Sequence, residues 1–475
     1  MIIPYKGLIH KPHESVNNPF GVVMGEKTFW LLPFILFSLL FPPLTQSQQS
    51  ASPREERLTL EKAVAEALVH NRQIRNARLE VEKSGDQIAA ARRHFLPTFD
   101  VKLSESYLLT PSDYVFRQGV FGTYPGTGPV PANEVKISTS RPWNTFLSAT
   151  VAQPLSQIYR LRLNVSALEI GRNMVQEKLR AQRQTVISEV KRSYWGILQA
   201  QNGIEANRQQ IAALRELERV AGEQVKQQAV LEADLLDLRA RLAKLEYEAL
   251  TLTHAIATGK QQLNALLGRD PGRSFTLDPD PRISLPGINP QEAQALAYER
   301  RPDLKEVRFK RRQAEYEIQI KKAEYIPDIN LIFNYLSPFD SEFLPRNLAT
   351  VGLQLSWDFF DWGRKQRELS ERHRTLTQVQ NEIKETETQI LIEVQSRLQR
   401  LKEAEALTKA ARLATEASKE RLRVTMNRYR IQAALLQEVL QTQAALAEAD
   451  QQYQNAMLAY WTAQADFEKA IGEER

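Results

Sequence analysis

Cysteine is absent from the 475 residues, and glycine and proline are sparse, at 19 and 23. Without thiols there is no disulfide framework, no thiolate metal site and no N-terminal cysteine to carry a lipid. A thiol-free chain also suits an oxidising compartment, where a stray thiol is a liability. The six histidines, His10, His13, His70, His94, His254 and His373, are scattered, so no metal set assembles at recognised spacing. Charge of one sign is not in excess either. Lys and Arg number 63 against 57 Asp and Glu, spread along the chain rather than gathered in a patch, which argues against a nucleic-acid partner. No phosphate loop, nucleophile motif or ligand cluster is present, so nothing points to catalysis, a cofactor or a bound metal. What remains, 42% apolar and 25% charged residues, is the composition of a folded protein.

Long apolar runs are missing too, with one short exception. Residues 28–41 (TFWLLPFILFSLLF) follow a lysine and precede two prolines and a polar stretch. About 14 residues are too few for a membrane span, which needs about 20, and Pro33 interrupts them. The pattern predicts an export signal over 24–47, cut after Ser47, with 1–23 as upstream extension. An uncleaved anchor helix is the alternative.

The mature chain is a duplication. The segment from Leu60 aligns with the segment from Pro290 at a constant offset of 230, placing Pro97 on Pro327. Further on the offset becomes 204, pairing Val190 with Val394, Ile197 with Leu401, Asp234 with Glu438 and Gly268 with Gly472. The copies span 58–267 and 291–472, joined by 268–290, a Pro- and Gly-rich stretch expected to be an extended linking arm.

Within each copy the period drops to two over a short region. Phe99, Val101, Leu103 and Tyr107 alternate with Asp100, Lys102, Ser104 and Ser106, and Leu147, Ala149 and Val151 follow the same rule. In the second copy Ile329, Leu331, Phe333 and Tyr335 alternate with mostly polar neighbours, as do Val351, Leu353, Leu355 and Trp357. Each copy thus holds two strands of about ten residues, a hairpin over 98–153 and another over 328–358. The Gly- and Pro-rich stretch between the first two strands is expected to be a long exposed loop.

Everything else is charged, rich in Ala and Gln, and helical. Val190, Ile197, Ile204 and Ile211 recur every seven residues, the spacing of coiled-coil packing. Residues 155–230 would stretch ~114 Å as one helix, and 60–96 and 231–267 ~55 Å each, so two short helices end to end match one long one. The chain is expected to rise through a short helix, form the hairpin, descend the long helix, turn near Val230 and return halfway.

Ten alternating residues behind an export signal suffice to cross an outer membrane, where only a closed barrel satisfies every backbone group. Four strands cannot close, since the smallest such barrels need eight. A membrane role therefore demands an oligomer, and three chains supply twelve strands. A periplasmic coiled-coil adaptor or structural spacer, held by the N-terminal apolar segment, is the competing expectation.

Several short motifs are informative in this order and spacing: Leu96-Pro97 and Ile326-Pro327, Gln153-Pro154-Leu155, Asp234-Leu235-Leu236, Phe359-Phe360-Asp361-Trp362-Gly363-Arg364, Arg428-Tyr429 and Glu438-Val439-Leu440 with Gln443. Through them the sequence resembles the TolC family of outer-membrane efflux proteins over 58–472. The resemblance implies a homotrimer with a 12-stranded outer-membrane β-barrel, four strands from each chain, continued by a long periplasmic α-helical coiled-coil barrel. It also implies a passive exit duct for drugs, metals or proteins in a tripartite efflux or type I secretion system, with a periplasmic adaptor (membrane fusion protein), an inner-membrane transporter and outer-membrane lipid as partners.

The chain departs from the family pattern where glycines are usual. Ser156-Gln157-Ile158-Tyr159 and Trp362 stand at the inner strand ends, and Gln228 and Gln432 at the helical turns, where they are expected to keep the backbone closer to helical geometry. Asp234, Asp237 and Glu438 fall at or after these turns, and threefold symmetry would gather their carboxylates into a cation-favouring periplasmic gate, with Gln441 where a further acid is common. Tyr107, Trp143, Tyr335 and Trp357 are candidate aromatics at the membrane–water boundary.

Overall fold

A computed structural model describes residues 56–107, 109, 113–138, 143–228, 231–278, 287, 289–339 and 345–474. The expected export signal and upstream extension lie outside the described residues, as does Val230. The described chain is mostly helical, with one principal sheet at the end of the long helices.

The first copy opens with strand β1 (Glu56–Leu58), then α1 (Leu60–His70) and α2 (Arg72–Arg93). The leader was expected to be one helix, but Asn71 divides it. Its backbone leaves helical geometry at ψ 131°, and its Oδ1 accepts from the Gln73 and Ile74 amides at 2.8 and 3.2 Å, capping α2. Strand β2 (Thr98–Tyr107) follows Pro97, whose ring disfavours helix at Leu96. Between β2 and β7 (Trp143–Pro154), the expected plain loop carries two small hairpins. One pairs β3 (Asp113–Phe116) with β6 (Val135–Ser138), the other β4 (Thr123–Tyr124) with β5 (Gly128–Pro129). Then come α3 (Ile158–Lys226), 69 residues or ~104 Å, and α4 (Glu232–Leu266), ~52 Å.

The linking arm is not wholly irregular. Its β8 (Phe275–Leu277) runs parallel to β1, pairing Leu58 with Leu277. The second copy repeats the first with α5 (Pro290–Arg300), α6 (Pro302–Ala323), β9 (Asp328–Pro338), β10 (Leu348–Ser356), α7 (Arg364–Arg430) and α8 (Leu436–Ala470). Asn289 and Glu292 form a reciprocal capping box at the start of α5, and Pro302 opens α6 where Asn71 divides the first leader.

The duplication is also visible as repeated contacts. The Asn71 amide donates to the Leu266 carbonyl at 2.8 Å, and Arg301, its counterpart, donates to the Ala470 carbonyl at 3.4 Å. Gly268 and Gly472 both adopt positive φ, at 72° and 80°, just beyond α4 and α8. A methyl group on Gly268 would run into the His70 carbonyl, and one on Gly472 would come within 2.9 Å of Arg300 Cβ, so close approach requires glycine at both.

Most of the buried apolar residues form one cluster that joins both copies. Leu58, Phe275, Val190, Ile197, Val394, Leu401 and Phe467 all belong to it. Tyr194 donates from its hydroxyl region toward the Leu58 and Asp278 carbonyls at 3.2 and 2.9 Å, tying the β1–β8 pair to α3, and burial pushes its phenol up to about 12. Trp195 stacks on Trp461 with ring centres 4.6 Å apart. A second, smaller cluster lies at the far ends of the long helices, where Leu214, Leu217, Leu235 and Leu238 meet Tyr429, Leu436, Val439 and Leu440.

Candidate functional site

Two regions bear on function, the sheet at one end of the helices and the helical turns at the other. The sheet order is β10-β9-β7-β2, every neighbouring pair antiparallel. Register sorts its side chains by face. One row runs Phe99, Val151, Phe333, Val351, and the next row on the opposite face runs Asp100, Thr150, Asn334, Thr350, with Thr150 donating to Asn334 Oδ1 at 3.0 Å. One face is therefore apolar and the other polar. On the outer strands the apolar residues are strongly exposed, Phe99 at 77% and Val351 at 74%. Among the described residues, strands β2 and β10 each have one edge without a partner.

Tyr107 and Trp143 are cross-strand partners at the end of the sheet remote from the helices, their rings edge-to-face at 5.1 Å. Tyr335 is in register with Ala149 and Ala349 and donates to Asn347 Oδ1 at 2.6 Å. Trp357 follows β10 at the helix-proximal end. There the Ser156 hydroxyl joins the two copies, donating to the Pro327 carbonyl and accepting from the Ile329 amide, both at 2.8 Å. Its bonds account for a serine where the family pattern has a glycine-rich turn.

At the helical turns the structure corrects one expectation. Gln228 and Gln432 do not stay near right-handed helical geometry; their φ values are 58° and 60°, in the left-handed region that favours glycine. Beyond α7, Gln432 N–H donates to the Tyr429 carbonyl at 2.9 Å and Ala433 N–H to the Arg428 carbonyl at 2.8 Å, the paired bonds of a Schellman turn. The same pair closes α8 through Gly472 and Glu473. Both glutamines are exposed, so their side chains meet no obstacle and the cost is only the intrinsic ~1 kcal/mol or so of left-handed backbone.

Asp234 lies in the first turn of α4 and Glu438 in the first turn of α8, both half-buried, while Asp237 and Gln441 are exposed one turn further on. Acidic residues in a first helical turn complement the positive end of the helix dipole. Glu438 Oε1 also accepts from the Leu435 amide at 3.5 Å, the long limit for such a bond. Among the described residues no ion pair engages Asp234 or Glu438. Asp237 differs: Arg241 donates to it at 3.1 Å and, through its other arm, to the Leu440 carbonyl at 2.9 Å. Arg241 thus ties α4 to α8. A second tie crosses from α7 to α3, where the buried Tyr429 hydroxyl donates to Gln224 Oε1 at 2.5 Å. Neither tie was deduced from sequence; the four-residue spacing of Asp237 and Arg241 was the available signal for one.

Above the tip, a groove of about 630 Å³ runs between α3, α4 and α8. Asp450 lines it, and burial raises its carboxyl above the ordinary value of 3.8 despite Lys419 and a hydrogen bond with Gln210.

The chain thus carries a four-stranded sheet with one apolar face at the end of paired helices of about 100 Å. The sequence model of a family described as outer membrane efflux protein matches residues 63–269 and 294–473. Among solved structures the chain is similar to the outer-membrane protein VceC of Vibrio cholerae (17% identity, 87% of this chain and 96% of that one, TM-score 0.68). It is likewise similar to the CmeC outer-membrane channel of Campylobacter jejuni (17%, 87% and 85%, 0.70) and to CusC (17%, 90% and 96%, 0.71). At such identities the likeness is one of fold. No curated protein matches the sequence significantly. The chain belongs to the outer membrane efflux protein family. It is an exit duct of the outer membrane, with its helical part in the periplasm.

Proposed function

We propose that three copies associate to close a 12-stranded barrel from their four-stranded sheets, and that their helices continue the pore as a tunnel toward an inner-membrane transporter. The observation that carries this is the sheet itself, antiparallel throughout, apolar on one face and unpaired at both edges. In a bilayer each unpaired backbone group costs several kcal/mol, so the edges of β2 and β10 must find partners. Strand β2 leaves the helices and β10 returns to them, so β10 of one copy beside β2 of the next continues the antiparallel order. A coiled-coil spacer, the competing reading, has no use for such a sheet.

The duct is passive, and its cargo, drugs, metals or proteins, is supplied by the transporter through a periplasmic adaptor that meets the helical turns. There the gate is electrostatic. With Asp237 held by Arg241, Asp234 and Glu438 are the carboxylates that threefold symmetry gathers around the passage, favouring cations where it narrows. Gln441 contributes no charge. Gln228 and Gln432 shape the turns.

Membrane fractionation and bilayer recording test these points. Outer-membrane trimers that dissociate on heating are expected, whereas retention in the inner membrane would favour the spacer. For the gate, Glu438→Lys is expected to lower cation preference in single-channel reversal potentials; an unchanged preference removes the electrostatic role.

A further inference from the structure

The loop that joins β10 to α7 is more apolar and more exposed than any role in water explains. Phe359 is 81% exposed, Phe360 64% and Trp362 90%. Trp362 holds this position with a left-handed backbone, φ 57°, ahead of Gly363 at 78°. A bulky aromatic at positive φ is strained, and among the described residues its ring meets only that of Phe360, which is itself exposed.

The polar side of the same loop is firmly built. Asp361 accepts from the Gly363 and Lys365 amides at 3.1 and 3.0 Å, capping α7. Lys365 is buried, donates to the Asp358 carbonyl at 3.1 Å and sits over the Tyr325 ring at 5.9 Å. The aromatics are thus presented outward by an anchored turn. They also continue the sheet. Val351, Leu353 and Leu355 form the apolar face of β10, and Trp357 and Phe359 extend the same alternation beyond it, their rings 6.2 Å apart. Phe360 and Trp362 meet edge-to-face at 4.9 Å.

We infer that Phe359, Phe360 and Trp362 form a lipid anchor, seated at the boundary between headgroups and acyl chains of the periplasm-facing phospholipid leaflet. The occupant follows from continuity: with the sheet's apolar face in the membrane, as proposed above, its aromatic extension at the helix-proximal end falls at the inner interface. Tryptophan suits that boundary because its ring is apolar and its indole N–H remains able to reach a polar group. Arg364, exposed immediately after the loop, suits the phosphate level of the same leaflet.

Tryptophan fluorescence tests the assignment in the full-length protein reconstituted into phosphatidylcholine and phosphatidylglycerol vesicles, with lipids brominated on the acyl carbons nearest the ester. The signal lost between the parent and Trp362→Phe reports Trp362, and a second variant, Trp362→Gly, removes the backbone strain and keeps a folded control. The expected result is that bromolipid removes more than half of the Trp362 signal, while aqueous iodide removes little. Quenching by iodide and not by bromolipid would place the ring in water and overturn the inference. Protection from both would seat it against a neighbouring copy, which also overturns it. Of the other tryptophans of the described residues, Trp195 and Trp461 lie in the helical cluster, so the bromolipid-sensitive part of the remaining signal reports Trp143 and Trp357 and separates the two proposals: if it is present while Trp362 is spared, only the anchor fails; if it is absent too, the membrane placement of the sheet fails.

Discussion

Single residues at the helix ends carry opposite instructions although they share one backbone conformation. Gly268 and Gln432 both lie beyond a helix at positive φ, yet one is packed against His70 and the other faces solvent. Gly268→Ala adds strain and a collision, so a loss of more than about 2 kcal/mol is expected in denaturant melts. Gln432→Gly removes an intrinsic penalty of ~1–2 kcal/mol and gives back part of it as unfolded-chain entropy, for a net gain of roughly 0.5 kcal/mol. Equal losses from both variants would mean that φ alone, and not packing, decides these sites. Asp450 makes a third residue-scale case. Its folded carboxyl titrates above 3.8, so in the interval between its unfolded and folded values the folded chain binds more protons. Stability contributed by this residue therefore falls as pH rises through that interval and stays low above it. Asp450→Asn is expected to raise the melting temperature near neutral pH and to flatten its decline from the acid side.

Elements are held at the tip by two polar ties across the second apolar cluster, and these set how firmly the α7–α8 turn is docked on α3 and α4. Tyr429→Phe keeps the buried ring and deletes the bond to Gln224, a change of about 1 kcal/mol. Faster amide exchange is expected at the start of α8 and the end of α7, with larger single-channel openings, and Arg241→Ala should add to both because it acts through α4 rather than α3. Exchange confined to the substituted helix would argue that the clusters, not the ties, hold the turn. At this scale the sequence was informative where a period is long enough to read. The four strands and the long helices stand out because the strands run for nine to twelve residues and the seven-residue spacing recurs over several turns of the period. The β1–β8 pair did not, since three residues are too few to show a period of two, and Tyr194 anchors it from far away in sequence. The left-handed glutamines were also missed: residue preference pointed away from positive φ, and the bonds of the turn overrule a penalty of ~1 kcal/mol. Asp234 and Glu438 were readable as equivalents through the repeat offset, whereas the pairing that takes Asp237 out of play depends on where Arg241 reaches.

The whole molecule is set by a mismatch between what one chain supplies and what its environment requires. Four antiparallel strands leave two edges, and a contact between unlike edges either closes into a ring or propagates without limit. Strand twist and the coiled-coil pairs of α3 with α4 and α7 with α8 favour closure, because each copy presents two long helical pairs that must also meet their neighbours at a fixed angle. The absence of cysteine gives a clean background for a direct test. Cysteines placed on the polar face of the two free edges, at Asp100 or Lys102 of β2 and at Thr350 or Gln354 of β10, face the same side of the sheet. A disulfide needs Cβ atoms about 3.5–4.5 Å apart, so only the combination in register will oxidise efficiently. That combination is expected to give linked dimers and linked trimers on denaturing gels and nothing larger, with trimers growing at the expense of dimers as oxidation proceeds. A ladder extending past three would indicate an open, propagating contact, and failure of every combination would leave both edges bare and exclude a barrel closed through β2 and β10.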